Sequence, residues 1–336
     1  MTERTMKGVN LGGWLVVEKW ISPSLFEGTT ATNEFELARS KQGRERLKNH
    51  HQTFIAESDL KWFKDQGVEI LRIPFGYWIL GDDARYEPAI DRLDWLVRTS
   101  LAYDLKLLLD LHAAPGAQNR AAHSGSGNLV LNEHSTKWLN DKTAQDRTIE
   151  VLETVALRYK DYPHIWGLEV LNEPTVDRLG LKLARFYRRA YRRLTNVARP
   201  GTHFIFSDGF APLKLTGCLW FVKKRQFPVA MDCHIYQVFG HKNKRRSFPQ
   251  HVAKVKWTKW FLRFLRLQQP LIVGEWSAML PLRVSSEQTK QYIHVQHRAF
   301  DGTLAHFYWT YKTEASGRWN FRDMADKNHL TGYNET

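Results

Sequence analysis

The feature that most constrains the fold of this chain is a recurring alternation. Eight short apolar, strand-like segments recur, most of them separated by amphipathic helical stretches. The strand-like segments fall at 8–14, 69–75, 106–112, 165–172, 203–208, 229–235, 271–276 and 305–311. Runs such as Leu107-Leu108-Leu109 lack the alternation of a strand with one wet face, and read instead as strands covered on both faces. Helical patterns occupy 54–66, 88–103, 141–159, 179–198, 252–267 and 287–300, while the stretch 210–227 is short and irregular and gives the weakest helix. Strand–helix alternation eight strands deep predicts the α/β class and, within it, a (β/α)8 TIM barrel. Such a barrel uses about 250 residues, so the 336 residues here allow long loops without a second domain. With no linker, low-complexity tract or short repeat to divide it, the chain reads as a single domain over 1–336.

Composition narrows the function classes. The apolar fraction is 43%, with 13 Trp, 18 Phe and 12 Tyr, which fills a large core and leaves rings over for a surface site. No stretch approaches the roughly 18 uninterrupted apolar residues of a membrane helix. The polar opening 1–7 lacks the apolar centre of a secretory signal. The expected location is the cytoplasm, with a secreted chain already trimmed of its leader as the alternative. Cys218 and Cys233 form no CxxC pair and are expected as reduced, partly buried thiols.

The net charge of +14 gathers in two places: Arg185, Arg188, Arg189, Arg192 and Arg193 on a helix, and Lys242, Lys244, Arg245 and Arg246 after a strand. Such a surface can hold nucleic acid or an anionic envelope, or it can simply be a solvated exterior. No nucleic-acid-binding motif accompanies the charge, so no nucleic-acid partner is expected; the oligomeric state stays open. The 14 histidines show no HExxH or tight His/Asp cluster, and no metal or cofactor is expected. A Ser–His–Asp hydrolase is disfavoured because no GxSxG appears.

Polar and aromatic residues collect at the C-terminal ends of the strand-like segments. Asn10 lies on the first, Arg72 on the second, His112 on the third, Asn172 and Glu173 on the fourth, His234 and Tyr236 on the sixth, Glu275 on the seventh and Trp309 on the eighth. Any one alone reads as a strand-end hydrogen bond. Seven of eight strands together point to the rim where barrel enzymes place their chemistry. Within VLNEP (170–174) and IVGEW (272–276), Glu173 and Glu275 each end an apolar, β-branched run. Two carboxyl groups amid tryptophans and tyrosines are what glycosidic cleavage needs. One protonates the leaving oxygen, and the other attacks or supports the cationic sugar carbon. A non-catalytic carbohydrate-binding barrel would be expected to have lost one of them.

These residues resemble glycoside hydrolase family 5, of clan A, and most closely its exo-β-1,3-glucanase branch. Beyond the glutamates, GVNLGGWLVVEKWISPSLF (8–26), LRIPFGYW (71–78), DLHAAPGAQN (110–119), HIYQVF (234–239) and WTYKTE (309–314) follow in the family's order. The resemblance covers 8 to about 322 and implies a (β/α)8 barrel, retention of anomeric configuration and no metal. By resemblance Glu173 is the general acid/base and Glu275 the nucleophile. Arg72 and Tyr236 are expected to hold Glu275 ionised, His234 to assist the proton cycling of Glu173, Asn172 to hold the sugar 2-hydroxyl, and His112 to donate to the sugar. Trp309 is expected as the floor of the −1 subsite, Glu18 on terminal glucose hydroxyls and Phe239 as half of an aromatic clamp at +1. Asn10, Trp14, Lys312, Glu314 and Trp319 are further pocket candidates.

The chain departs from that branch at one place. After Gln118 and Asn119 the family continues GFDNSG, whereas here Arg120, Ala121, Ala122, His123, Ser124 and Gly125 follow. Ala121 replaces the second clamp ring, which should widen the +1 subsite, and His123 replaces a sugar-binding asparagine. The leading expectation is a retaining hydrolase of β-glucan or β-gluco-oligosaccharides, exo-acting on β-1,3-linked glucose. Another linkage such as β-1,6, endo action, a non-sugar aglycone, or transglycosylation are the alternatives.

Overall fold

A computed structural model describes residues 4–119, 121–124, 138–216, 226–330 and 333. Eight parallel strands close into a barrel in chain order: β1 (Met6–Asn10), β2 (Ile70–Gly76), β3 (Lys106–Ala113), β4 (Ile165–Glu169), β5 (His203–Ser207), β6 (Val229–Ile235), β7 (Leu271–Trp276) and β8 (Ala305–Tyr308). β1 pairs with β8, from Met6 opposite Ala305 to Val9 opposite Tyr308, so the sheet has no edge. The principal helices are α1 (Lys41–Thr53), α2 (Glu57–Asp65), α3 (Ile90–Ser100), α4 (Lys142–Arg158), α5 (Leu181–Leu194), α6 (Phe248–Arg266) and α7 (Ser286–Phe300). Among the described residues, no helix is long and apolar enough to cross a membrane.

Each strand serves two cores, because successive side chains point to opposite faces. Leu71, Leu107 and Leu109 face the helical ring. Ile70, Leu108, Ile205, Ala230, Ile272 and Phe307 fill the barrel interior. Burying an aliphatic side chain of this size contributes about 1.5–3 kcal/mol. Both faces of β2 and β7 are buried throughout, which explains why their sequences do not alternate.

Several boundaries differ from the sequence expectation. β1 starts at Met6 and stops at Asn10, not 14, because Gly13 turns the chain with φ +77°. β4 stops at Glu169, so Asn172 and Glu173 lie beyond it, and Glu173 itself has φ +43°. Arg72 sits low in β2 rather than at its end. α1 falls outside the helical patterns of the sequence: its stretch is strongly polar and buries only Gly43, Leu47, His50 and His51, too few apolar positions to show a helical period, although Ser40 caps it. Between β5 and β6 the described residues contain one helical turn, Pro212–Leu215, in keeping with the irregular 210–227 stretch. Cys233 is a buried free thiol; Cys218 and Arg120 lie outside the described residues.

Candidate active site

The inward positions of the strands stack in layers, two residues apart, and the layers change character towards the rim. Above the apolar floor of Ile70, Leu108 and Ala230 come Arg72, Asp110 and Asp232, and above the two acids come His112 and His234. Each histidine is hydrogen-bonded to the acid beneath it. His112 Nδ1 lies 2.6 Å from Asp110 Oδ2, and His234 Nε2 lies 3.1 Å from Asp232 Oδ2. Asp232 is braced in turn by the Gly274 amide, which donates to Oδ1 at 2.5 Å.

Arg72 organises this middle layer. Fully buried, it donates from Nε to Glu169 at 2.7 Å and from Nη2 to Glu169 at 3.0 Å, to Asn172 Oδ1 at 2.9 Å, and lies 3.1 Å from Asp110. Its Nη1 donates to Asn10 Oδ1 at 2.9 Å and to Glu275 Oε1 at 3.1 Å. A planar fork with five donors suits such a ring of carboxylates better than a lysine would. Burial works against its charge, but Asp110, Glu169 and Glu275 outweigh that and raise its pKa well above the ordinary value. Burial also lifts Asp110 to about 7, with Arg72 opposing, and lifts Glu169 well above its ordinary value against the same cation.

The catalytic candidates sit on top. Tyr236 donates to Glu275 Oε2 at 2.8 Å, opposite the Arg72 contact, so both oxygens of Glu275 have a donor. His234 Nδ1 lies 2.6 Å from Glu173 Oε1 and 3.5 Å from Glu275 Oε2. One oxygen each of Glu173 and Glu275, together with a nitrogen of His234, fall within 4.8 Å of one another. That trio, and Glu169 with Asp232 and His234, have the proximity of metal ligands, but the guanidinium of Arg72 already occupies the cation's role beside Glu169 and Glu275.

Protonation differs from the expectation that Arg72 and Tyr236 hold Glu275 ionised. Burial raises Glu173, but the hydrogen bond and charge of His234 prevail and hold it at about 2. Burial lifts Glu275 to about 7 against His234 and Arg72. Burial depresses His234, yet the surrounding acids Glu275, Asp232 and Glu173 carry it well above its usual value. The proton available to Glu173 therefore rests on His234, along a 2.6 Å contact. Holding it on either side leaves the cluster with the same number of protons. His123 lies on the other side of Glu173, its Nε2 at 3.3 Å from Oε2. Burial keeps His123 below its ordinary value, and the Asn119 amide nitrogen lies 3.0 Å from that same Nε2. Asn119 Oδ1 accepts from the Ala121 amide, which fixes the amide nitrogen towards His123. Nε2 is thus an acceptor whose single lone pair the Asn119 amide takes, and it packs against Glu173 Oε2 without bonding to it.

These groups open into a cavity of about 680 Å³. His112, His123, Glu173, His234, Tyr236, Glu275, Trp309, Phe239, Glu18 and Trp319 line it, as the sequence suggested; Trp20 and Phe210 do so as well and had not been singled out. Trp309 is stacked on His112 at 5.6 Å with planes 7° apart. Trp20 Nε1 donates to Glu18 at 2.9 Å. Phe239 and Phe210 are each 62% exposed at the mouth. A second cavity, about 440 Å³, shares Glu173 and Phe210 with the first and is walled by Ala121, Gly209 and Ala211 among others.

Besides Arg72, five proposed residues lie off the cavity lining. Asn10 is fully buried, donating to the carbonyls of Gly274 and Tyr308 and accepting from Arg72, so it supports the site from beneath. Asn172 likewise accepts from Arg72 and lies 3.4 Å from His112, below the cavity surface. Glu314 accepts from the amide and hydroxyl of Ser24 and pins the turn Pro23–Phe26 rather than lining the cavity. Trp14 is core, bonded to the His51 carbonyl at 2.9 Å. Lys312 sits over Phe54 and 3.8 Å from Asp59, behind the rim. The sequence signal for the missed acids Asp110 and Asp232 is that each stands in an apolar strand two residues before a histidine, on the same strand face. Glu169 carries no such signal beyond being a charge in an apolar run.

Residues 30–315 match the family described as Cellulase (glycosyl hydrolase family 5). The chain is 30% identical to an Aspergillus niger protein named "Probable glucan 1,3-beta-glucosidase A", over 95% of this chain and 85% of that one. It is 29% identical to the "Glucan 1,3-beta-glucosidase" of Kluyveromyces lactis, over 95% and 86%. Among solved structures, a rutinosidase from Aspergillus niger superposes with a TM-score of 0.81 at 20% identity, over 98% of this chain and 99% of that one, a likeness of fold.

Proposed function

From the premise that this chain belongs to glycosyl hydrolase family 5, and is an O-glycosyl hydrolase, we propose that it cleaves β-glucosidic bonds with retention, exo-acting on β-1,3-linked glucose. The observation that carries this reading is the placement of the two glutamates. One oxygen of each lies within 4.8 Å of the other, which supports the short spacing of a retaining pair, about 5–5.5 Å between carboxyl groups, over the roughly 6.5–9.5 Å that admits a water between them. In the first step a Glu275 oxygen attacks the anomeric carbon and the glycosidic C–O bond breaks. The leaving oxygen takes a proton from Glu173, which His234 has supplied. In the second step water attacks the glucosyl–Glu275 ester, Glu173 takes the water's proton, and Glu275 departs as the carboxylate.

The −1 subsite lies between Trp309, His112 and Tyr236, where the flat indole takes a sugar's C–H face. Glu18, held by Trp20, lines the cavity and suits the hydroxyls of a chain terminus, which supports exo action. Phe239 and Phe210, both exposed among the lining residues, form the +1 platform. A cytoplasmic enzyme working on imported oligosaccharides is the setting that goes with the buried free thiol Cys233.

The second cavity favours one further reading. Small residues at Ala121, Gly209 and Ala211 open a path away from Glu173, wide enough for a non-sugar aglycone or for a sugar acceptor that takes the covalent intermediate in place of water. A product time course on laminari-oligosaccharides, beside β-1,6 and β-1,4 oligomers and with Glu275→Gln as blank, tests both. Glucose alone from the first minutes, on β-1,3 chains only, is the expected result. Mixed oligomers, or turnover of another linkage only, would overturn exo-β-1,3 action. Products longer than the substrate would establish transglycosylation.

A further inference from the structure

We propose that the outer face of α6 docks this protein onto a bilayer rich in anionic lipid. Between Asp232 and Glu275, residues 233–274 carry nine lysines and arginines and not one acid, against a net charge of +14 for the whole chain. α6 is the centre of that segment. Its inner face is an ordinary one: His251, Val255, Thr258, Leu262 and Leu265 are buried against the barrel. Its outer face is not, because Trp257, Trp260, Phe264 and Leu267 are 62, 67, 51 and 82% exposed. They recur at intervals of three or four residues and form one stripe along the helix. A solvated helix face is polar, and scattered single apolar residues need no explanation; four large ones in a line do.

The cations flank the stripe. Lys256, Lys259 and Arg263 rise from the same helix, and the Arg263 guanidinium lies 5.4 Å over the Trp260 ring. At the helix's N-terminal end a groove of about 750 Å³ is lined by Lys242, Arg245, Arg246, Lys254 and Trp257. Among the described residues, no ion pair engages Lys242, Lys244, Arg245, Lys256, Lys259 or Arg263. Rings and a leucine on one line, with lysine and arginine beside them, are the pattern of a helix lying in a membrane interface. The apolar stripe enters the headgroup–acyl boundary and the cations reach the lipid phosphates.

Other occupants fit less well. A second copy would bring two acid-free segments of like charge together. A nucleic acid would use the charge and could stack on exposed rings, but it would leave Leu267, the most exposed member of the stripe, without a partner. The rings are also partly taken, with Trp257 stacked on Phe261 at 5.3 Å. Because Phe239, at the mouth of the active-site cavity, lies two residues before His241, which lines the basic groove, docking through α6 would bring the acceptor side of that cavity close to the lipid surface.

Flotation of the full chain with vesicles tests the proposal. Recovery with phosphatidylglycerol-containing vesicles and not with pure phosphatidylcholine is expected, weakening as salt is raised. Trp260→Ser with Phe264→Ser should lower the partitioning at least about tenfold, and Lys256→Gln with Lys259→Gln and Arg263→Gln should do the same. Leu267→Ser, at the exposed end of the helix, is the milder variant, and unfolding midpoints by circular dichroism show whether each variant folds. Wild-type protein that stays behind with both kinds of vesicle would overturn the proposal. So would equal flotation of the variants, tighter binding to duplex DNA than to anionic vesicles, or dimerisation that Trp260→Ser abolishes.

Discussion

At the scale of single residues, the chemistry turns on where one proton rests. Glu275 stands at about 7, up from 4.5. As the proposed nucleophile it is ionised and able to attack only above that value, so kcat/KM should fall as pH drops through about 7. The hydrogen bond from Tyr236 favours the ionised form, so Tyr236→Phe removes a stabiliser of the anion, raises the pKa further and should move the acid limb of kcat/KM to higher pH. An unmoved limb would mean that Glu275 is not the group that titrates. The same shift has a cost in stability. Between about 4.5 and about 7 the unfolded chain has released a proton that the folded protein keeps, so this group's contribution declines as pH rises through that window. His123 makes a separate prediction. If it holds the Glu173 carboxyl in place to protonate the leaving oxygen, His123→Ala should slow glucosides with a poor leaving group about tenfold and hardly touch those with an activated aryl leaving group, since only the former need an acid. Equal losses on both would make His123 a sugar-binding residue instead.

At the scale of elements, β6 and β7 meet where catalysis meets packing. A Cβ on Gly274 would lie 1.9 Å from Asp232 Oδ2, so the strand can approach only because position 274 has no side chain. Gly274→Ala should displace Asp232 from both the 274 amide and His234, cost about 2 kcal/mol or more in urea unfolding, and depress kcat along with stability. Full activity with normal stability would show that the Asp232–His234 pair is dispensable. This junction also shows how far the sequence could be read. The strands were legible because parallel strands buried on both faces are apolar without interruption, and Glu173 and Glu275 were legible as the charges that end such runs. What was not legible depends on depth. Arg72 and Asn172 were grouped with the site from the sequence, but their place beneath the cavity follows from strand register, which a single sequence does not state. Phe210 and Trp20 reach the cavity from loops whose course no local pattern dictates. α1 was hidden because its buried face is mostly Gly43, His50 and His51.

At the scale of the whole molecule, a closed barrel is only as secure as the seam between its first and last strands. That seam is β1 against β8, four paired positions long. Tyr333 covers it from outside: its hydroxyl donates to the Gly8 carbonyl at 2.9 Å, and its ring packs at 5.0 Å from Phe321 and 5.1 Å from His297. Only 3% exposed, it ties together positions 325 residues apart in the chain. Removing a buried aromatic ring costs about 3–5 kcal/mol, and losing one neutral hydrogen bond about 1 kcal/mol. Tyr333→Ala should therefore lower the urea midpoint markedly and Tyr333→Phe slightly. Both should keep wild-type kcat/KM at low denaturant, because none of the residues that line the active-site cavity touches this side chain. If Tyr333→Ala unfolds at the wild-type midpoint, the β1–β8 pairing and the Phe307 floor beneath it hold the barrel closed by themselves. If kcat/KM falls while the midpoint stays, the seam is coupled to the site through Asn10 and Trp309, the residues that follow β1's last pair and β8's last pair towards the rim.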